Sequence, residues 1–143
     1  MNGNGLSIIK RDGSKEKLNL DKIHKMVEAA CKGINGVSAS QVEMSANLSF
    51  YDGMTTQEIQ ETLIKSASDL ISLDAPNYQY VASRLLLFAI RKDVFNTKWK
   101  DSKIYPPLKD IVERNIKHGV YDKSLKGYYD DDEWNKLNSY LNH

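Results

Sequence analysis

The stretch Ile8–Ile23 reads IIKRDGSKEKLNLDKI, and the fold turns on how it is read. Leu6 before it, and Ile8, Leu18 and Leu20 within it, alternate with polar or charged neighbours, the period of half-buried strands. Between them Arg11-Asp12-Gly13-Ser14 holds an Asp-Gly pair, which favours a tight hairpin turn. The pattern predicts a short hairpin over about residues 6–19. Asp21 then caps or opens a helix in which Ile23, Met26, Val27, Ala30 and Cys31 follow the i, i+3, i+4, i+7, i+8 stripe of one buried face. Gly33 and Gly36 end it. The stretch also carries four lysines and one arginine. It is either a solvated hairpin leading into a helix or a set of cations gathered to hold an anion.

Working outward, Ser38-Ala39-Ser40-Gln41 has the form of a capping box, with Val37 and Val42 as its hydrophobic staple. It predicts a second helix over 39–51, stopped by Asp52-Gly53. Thr55-Thr56-Gln57-Glu58 repeats the device with Met54 and Ile59, and the third helix should bury Ile59, Leu63, Ala67, Leu70 and Ile71. Asp74-Ala75-Pro76 restarts the chain, because proline suits a first helical turn, and a fourth helix should run to Phe95. Four helices with short connections predict a small bundle capped by the hairpin, a mainly α (α+β) fold. Beyond Phe95 the chain is polar and aperiodic up to Pro106-Pro107, a boundary signal. A fifth helix is predicted over 107–118, with Leu108, Ile111, Val112 and Asn115 on one side. The acidic run Asp130–Glu133 opens a last helix carrying Trp134, Leu137 and Leu141.

Composition narrows the functions. A chain of 143 residues with 27% charged and 41% hydrophobic residues can bury a real core. Its 20 basic and 19 acidic residues leave a net charge of +1, which argues against a general nucleic-acid-binding surface. An anion site must come from local grouping. Cys31, the only cysteine, can form neither an internal disulfide nor a zinc ribbon. The opening residues lack the apolar core of a signal peptide, and no run approaches the roughly 18 apolar residues of a membrane span, so the expected setting is cytoplasmic with no membrane. His24, His118 and His143 are far apart and form no HxxxH or HExxH pair, so no metal site is expected. No GxSxG elbow or GxxxxGK[ST] loop occurs, which leaves no catalytic candidate.

The basic groups have a geometry of their own. A hairpin packed over the start of the first helix would bring Lys10, Arg11 and Lys22 close together. Lysines near a helix N-terminus oppose its dipole unless an anion compensates, and a polyphosphate would do so. Thr55 and Thr56 could donate hydroxyl hydrogen bonds from the start of the third helix, and Lys92 could return to the hairpin end if the bundle is antiparallel. On residue chemistry alone both readings stay open, and the solvated face is the simpler.

Three blocks in order, IIKRDGSKEKLNLDKI, DGMTTQEIQETLIKSA and PNYQYVASRLLLFAIRK, resemble the N-terminus of the large (alpha) subunit of class I ribonucleotide reductase, whose first domain is the ATP-cone. The tail, with its proline pair, KHGVYD and acidic turn, resembles the segment leading towards that subunit's catalytic part. The resemblance implies an ATP-cone, a four-helix bundle covered by a small sheet, over 5–95, and a linker with the helical start of the catalytic region over 96–143. It implies an allosteric site for ATP as activator or dATP as inhibitor, accompanied by Mg2+. Phosphate and sugar contacts would fall on Lys10, Arg11, Glu16, Lys17, Asn19, Lys22, Thr56 and Lys92. Leu18 and Phe88 would line the base pocket, and Gln60 stands where relatives often carry a histidine near the sugar. The implied partners are the remaining catalytic part of the subunit and the radical-generating small subunit, in an oligomeric assembly modulated by dATP. The family's catalytic cysteines lie further along the subunit and Cys31 matches none of them, so this chain alone should not reduce nucleotides. Two other readings remain: a helical interaction or oligomerisation module that has lost nucleotide binding, and a nucleic-acid-binding regulator. The second would place a zinc ribbon before the cone, which one cysteine cannot build.

Overall fold

In the computed structural model, which describes residues 5–98, 100–101 and 105–141, strand β1 (Ser7–Ile9) lies at the centre of a three-stranded sheet. Strand β2 (Lys15–Lys17) pairs with it antiparallel, Ile8 opposite Glu16, and strand β3 (Met54–Thr55) pairs with it parallel, Ile8 opposite Met54 and Ile9 opposite Thr55. The third strand is an addition to the predicted hairpin. It is two residues long and merges into the next helix, so its sequence shows only the staple and cap of that helix. Between β1 and β2, Lys10 N–H donates to Ser14 O and Gly13 N–H to Lys10 O, closing the three-residue loop Arg11–Gly13. Gly13 takes φ +81°, which a side chain resists, although an added Cβ would meet nothing within 4 Å. Gly13→Ala should therefore cost about 1–2 kcal/mol through the backbone alone, read as a lower urea midpoint at unchanged slope.

Helix α1 (Leu20–Cys31) buries Ile23, Val27 and Ala30 as its periodicity predicts. Its N-cap is Asn19 rather than Asp21: the Asn19 side chain accepts from Lys22 N–H at 2.9 Å, and Asp21 sits in the first turn. Helix α2 (Ala39–Asn47) starts at Ser38 and stops short of residue 51, since Asn47 and Ser49 favour turn hydrogen bonds over a helix interior. Half of its predicted capping box is replaced. Gln41 turns away to accept from the Tyr78 hydroxyl, and that same oxygen accepts from Ser38 N–H at 3.0 Å. Helix α3 (Thr56–Asp69) has the complete box between Thr55 and Glu58 and buries Ile59, Leu63, Ser66 and Ala67. Leu70 is its half-buried C-cap, and Ile71 is 45% exposed, contrary to expectation, because the helix ends before it and the stripe loses phase. Helix α4 (Tyr78–Phe95) buries Tyr78, Val81, Ala82 and Leu85. These residues, with Ile8, Leu18 and Met54 from the sheet side, form one core among the four helices.

One exposed contact makes this unit sensitive to pH. His24 on α1 places Nδ1 2.9 Å from Glu43 Oε1 on α2 and Nε2 3.2 Å from Glu28 Oε1 on its own helix. The hydrogen bond and charge of Glu43, with Glu28 and Asp21 behind it, hold the imidazole pKa above its usual value. A raised folded-state pKa gives stability that is fully present below the unfolded value and lost as pH rises through the folded one. The melting temperature should therefore decline across that window, and His24→Gln should flatten the decline. The effect is expected to be small, because the pair faces solvent.

The described residues divide into two compact units, the first ending at Ile90 and the second beginning at Arg91. In the second, helix α5 (Leu108–Lys117) packs against helix α6 (Asp131–Ser139), with a 3-10 turn over Lys123–Gly127. The acidic run works as predicted: Asp130 caps α6 in a full capping box with Glu133. Val112 and Trp134 are buried, and Tyr129 meets the Trp134 ring edge-on. Arg91 lies over the Tyr105 ring, which packs edge-on against Phe95, and Arg114 lies over Phe95. Among the described residues no helix is long and apolar enough to cross a membrane.

Candidate functional site

The hairpin loop and the start of α3 lie at one end of the sheet, where β1 and β3 run out side by side, while α1 starts beyond the opposite end of β2. Side chains paired across neighbouring strands share a face, so Glu16 stands on the same side as its neighbour Ile8, the side turned to the core. Lys10, two residues past Ile8, reaches back to Glu16, with Nζ 2.5 Å from Oε2. Both side chains remain partly open to solvent, 42% and 32% exposed. The hydrogen bond from Lys10 is the chief influence holding the Glu16 carboxyl below the usual carboxylate range, followed by the charges of Lys10 and Lys22. In return, Glu16 raises the pKa of Lys10. Lys10 and Glu16 thus form a pair within reach of the positive charge of Lys22.

Thr56 opens α3 directly after Thr55, the partner of Ile9 across the sheet, so Thr56 and Lys10 leave the paired strands at the same end. Gln60 is one helical turn further on, and both are half-buried. Thr55 cannot serve as a phosphate donor as expected. Its hydroxyl donates to Glu58 Oε2 at 2.7 Å and accepts from Glu58 N–H at 3.1 Å, completing the helix cap. Asn19 is likewise occupied through Oδ1, which leaves its amide hydrogens to donate outward from an exposed position.

Other expected residues are spread more widely. Lys17 is exposed and, one residue from Glu16, belongs to the opposite face of the sheet. Arg11 is exposed in the hairpin loop. Leu18 is 9% exposed within the core, so it can offer only an edge to a ligand. Phe88 is half-buried against that core. Lys92 follows it by one turn of α4, on the continuation of the stripe Tyr78–Val81–Leu85–Phe88, and is half-buried. A lysine on an otherwise apolar stripe is a departure that core packing alone does not call for.

No group of three or more His, Cys, Asp or Glu residues able to hold a metal occurs among the described residues. Burial raises the pKa of the Cys31 thiol, which is half-buried on the α1 stripe.

A small sheet packed with four helices, carrying a Lys10–Glu16 ion pair on its hairpin, is the architecture expected of an ATP-cone. The model of the ATP cone domain family matches residues 6–93, and the chain belongs to that family. Among curated proteins it is similar to ribonucleoside-diphosphate reductase 1 subunit alpha of Escherichia coli (strain K12), 44% identical over 144 residues that span all of this chain and 18% of the relative. It is also similar to the subunit of that name from Salmonella typhimurium, 44% identical over 139 residues, 96% of this chain and 18% of the relative. The Helicobacter pylori (strain 26695) ribonucleoside-diphosphate reductase subunit alpha is 38% identical over 136 residues, 95% of this chain and 16% of the relative. The chain thus spans less than a fifth of the length of these relatives.

Proposed function

We propose that the chain is the allosteric nucleotide-binding module of a ribonucleoside-diphosphate reductase large subunit, setting overall activity without carrying out the reduction. The observation that carries this reading is the Lys10–Glu16 pair on the hairpin, with the charge of Lys22 felt at Glu16, in a chain of the ATP-cone family. An adenosine polyphosphate would place its phosphates on Lys10 and Lys22, with Arg11 as a further cation and the Thr56 hydroxyl as a donor. Glu16 can accept from ribose hydroxyls, while Asn19, Lys17 and Gln60 add polar contacts. Phe88, with the edge of Leu18, offers apolar surface to the base. Mg2+ would neutralise the phosphates.

ATP and dATP differ by one hydroxyl, and one hydrogen bond contributes only about 0.5–1.5 kcal/mol. Opposite responses to the two must therefore come from coupling to different assemblies, in which each nucleotide favours one state by its differential affinity. The assembly partners under this reading are the rest of the large subunit and the radical-generating small subunit.

Thermal melting with ATP and dATP tests the reading. At a hundredfold excess over Kd, binding contributes about 2.7 kcal/mol, enough to raise the melting point by several degrees. No shift with either nucleotide would leave a helical interaction module that has lost its ligand.

A further inference from the structure

We propose that Arg84 is a positioning residue for the nucleotide site, latching α4 to the end of α1 so that the helix bearing Phe88 is held in fixed register with the helix bearing Lys22. Arg84 Nη1 donates to Ala30 O at 3.1 Å and to Lys32 O at 2.5 Å, contacts that span 54 and 52 residues of sequence. Helix α1 needs such a donor. Its last turn contains no basic residue, and its final carbonyls lie at the negative end of the helix dipole. Locally, Ile34 N–H donates to Cys31 O, and the carbonyls on either side of it, those of Ala30 and Lys32, go to Arg84.

The latch also lies in line with the site. Phe88 follows Arg84 by four residues and therefore occupies the same side of α4, one turn further along. A guanidinium that bridges two carbonyls fixes both the spacing of the helices and their axial register, which a single hydrogen bond does not. Both bonds leave the one Nη1, whose hydrogens are fixed in the guanidinium plane, and a lysine ammonium on its flexible stem would keep the charge and lose that fixed direction. The latch thus connects the far end of α1, whose first turn holds Lys22, to the helix that presents Phe88.

The inference rests on the nucleotide-binding reading, and the test separates the two. Calorimetry of ATP binding to the unaltered chain comes first, and absence of binding there refutes the functional reading alone. Arg84→Gln and Arg84→Lys are then compared at a temperature where circular dichroism shows both folded. Arg84→Gln should weaken ATP binding about tenfold, with Arg84→Lys in between. Hydrogen exchange without nucleotide should show faster exchange over residues 86–90 in Arg84→Gln. A lower melting point with unchanged ATP affinity and unchanged exchange over 86–90 would make Arg84 a helix cap and nothing more. If Arg84→Gln does not fold, Arg84→Lys decides: affinity and exchange equal to the unaltered chain overturn the latch. If the chain binds no ATP, the exchange measurement decides alone.

Discussion

Leu85→Ala should destabilise the first unit by about 2–5 kcal/mol, the range for a large aliphatic side chain removed from a packed core. Leu85 is wholly buried on α4 and belongs to the single cluster that joins all four helices to the sheet. Its loss would leave a cavity that α4 is poorly placed to close, because the Tyr78 hydroxyl and Arg84 tie that helix to the starts and ends of its neighbours. A domain of this size has only about 5–15 kcal/mol in hand, so the variant should melt far earlier and sit near the threshold of folding. Chemical denaturation with an unchanged slope is the measurement. Leu73→Ala is the control: Leu73 is fully exposed and should change almost nothing. A loss below about 1 kcal/mol for Leu85→Ala would mean that α4 does not pack as described.

Lys10→Ala should weaken ATP and dATP alike, by roughly 10- to 150-fold, the equivalent of one charge-assisted hydrogen bond of about 1.5–3 kcal/mol. The neighbouring carboxylate adds to that loss. Lys10 and Glu16 are paired 2.5 Å apart, so removing the lysine strips Glu16 of its main cationic partner beside incoming phosphates. The pair therefore gives a signature beyond simple loss. Adding Glu16→Gln to Lys10→Ala should recover part of the affinity, because the repulsion goes with the charge. If Lys10 and Glu16 were only a solvated surface pair, Lys10→Ala would leave nucleotide affinity unchanged and the second substitution would recover nothing.

The helices were legible because their signals are local. Apolar spacing marked α1, a proline restart marked α4, Thr55–Glu58 forms the capping box its spelling suggests, and the acidic run Asp130–Glu133 opens α6. What escaped the sequence is what distant residues decide. β3 is visible only once Ile8 and Ile9 lie beside Met54 and Thr55. The Ser38–Gln41 box is broken by a tyrosine some 40 residues away, and the last carbonyls of α1 are met by an arginine more than 50 residues on. For the site, the hairpin pattern was enough to place Lys10 near Glu16. It could not show that Thr55 spends its hydroxyl on its own helix, or that strand alternation turns Lys17 to the other face.

Native mass spectrometry of the chain with ATP, beside the Lys10→Ala variant, tests the central claim most directly. The account predicts nucleotide adducts on the unaltered chain at micromolar to millimolar ATP and their marked loss in the variant. Equal adducts on both proteins, or none on either, would contradict it.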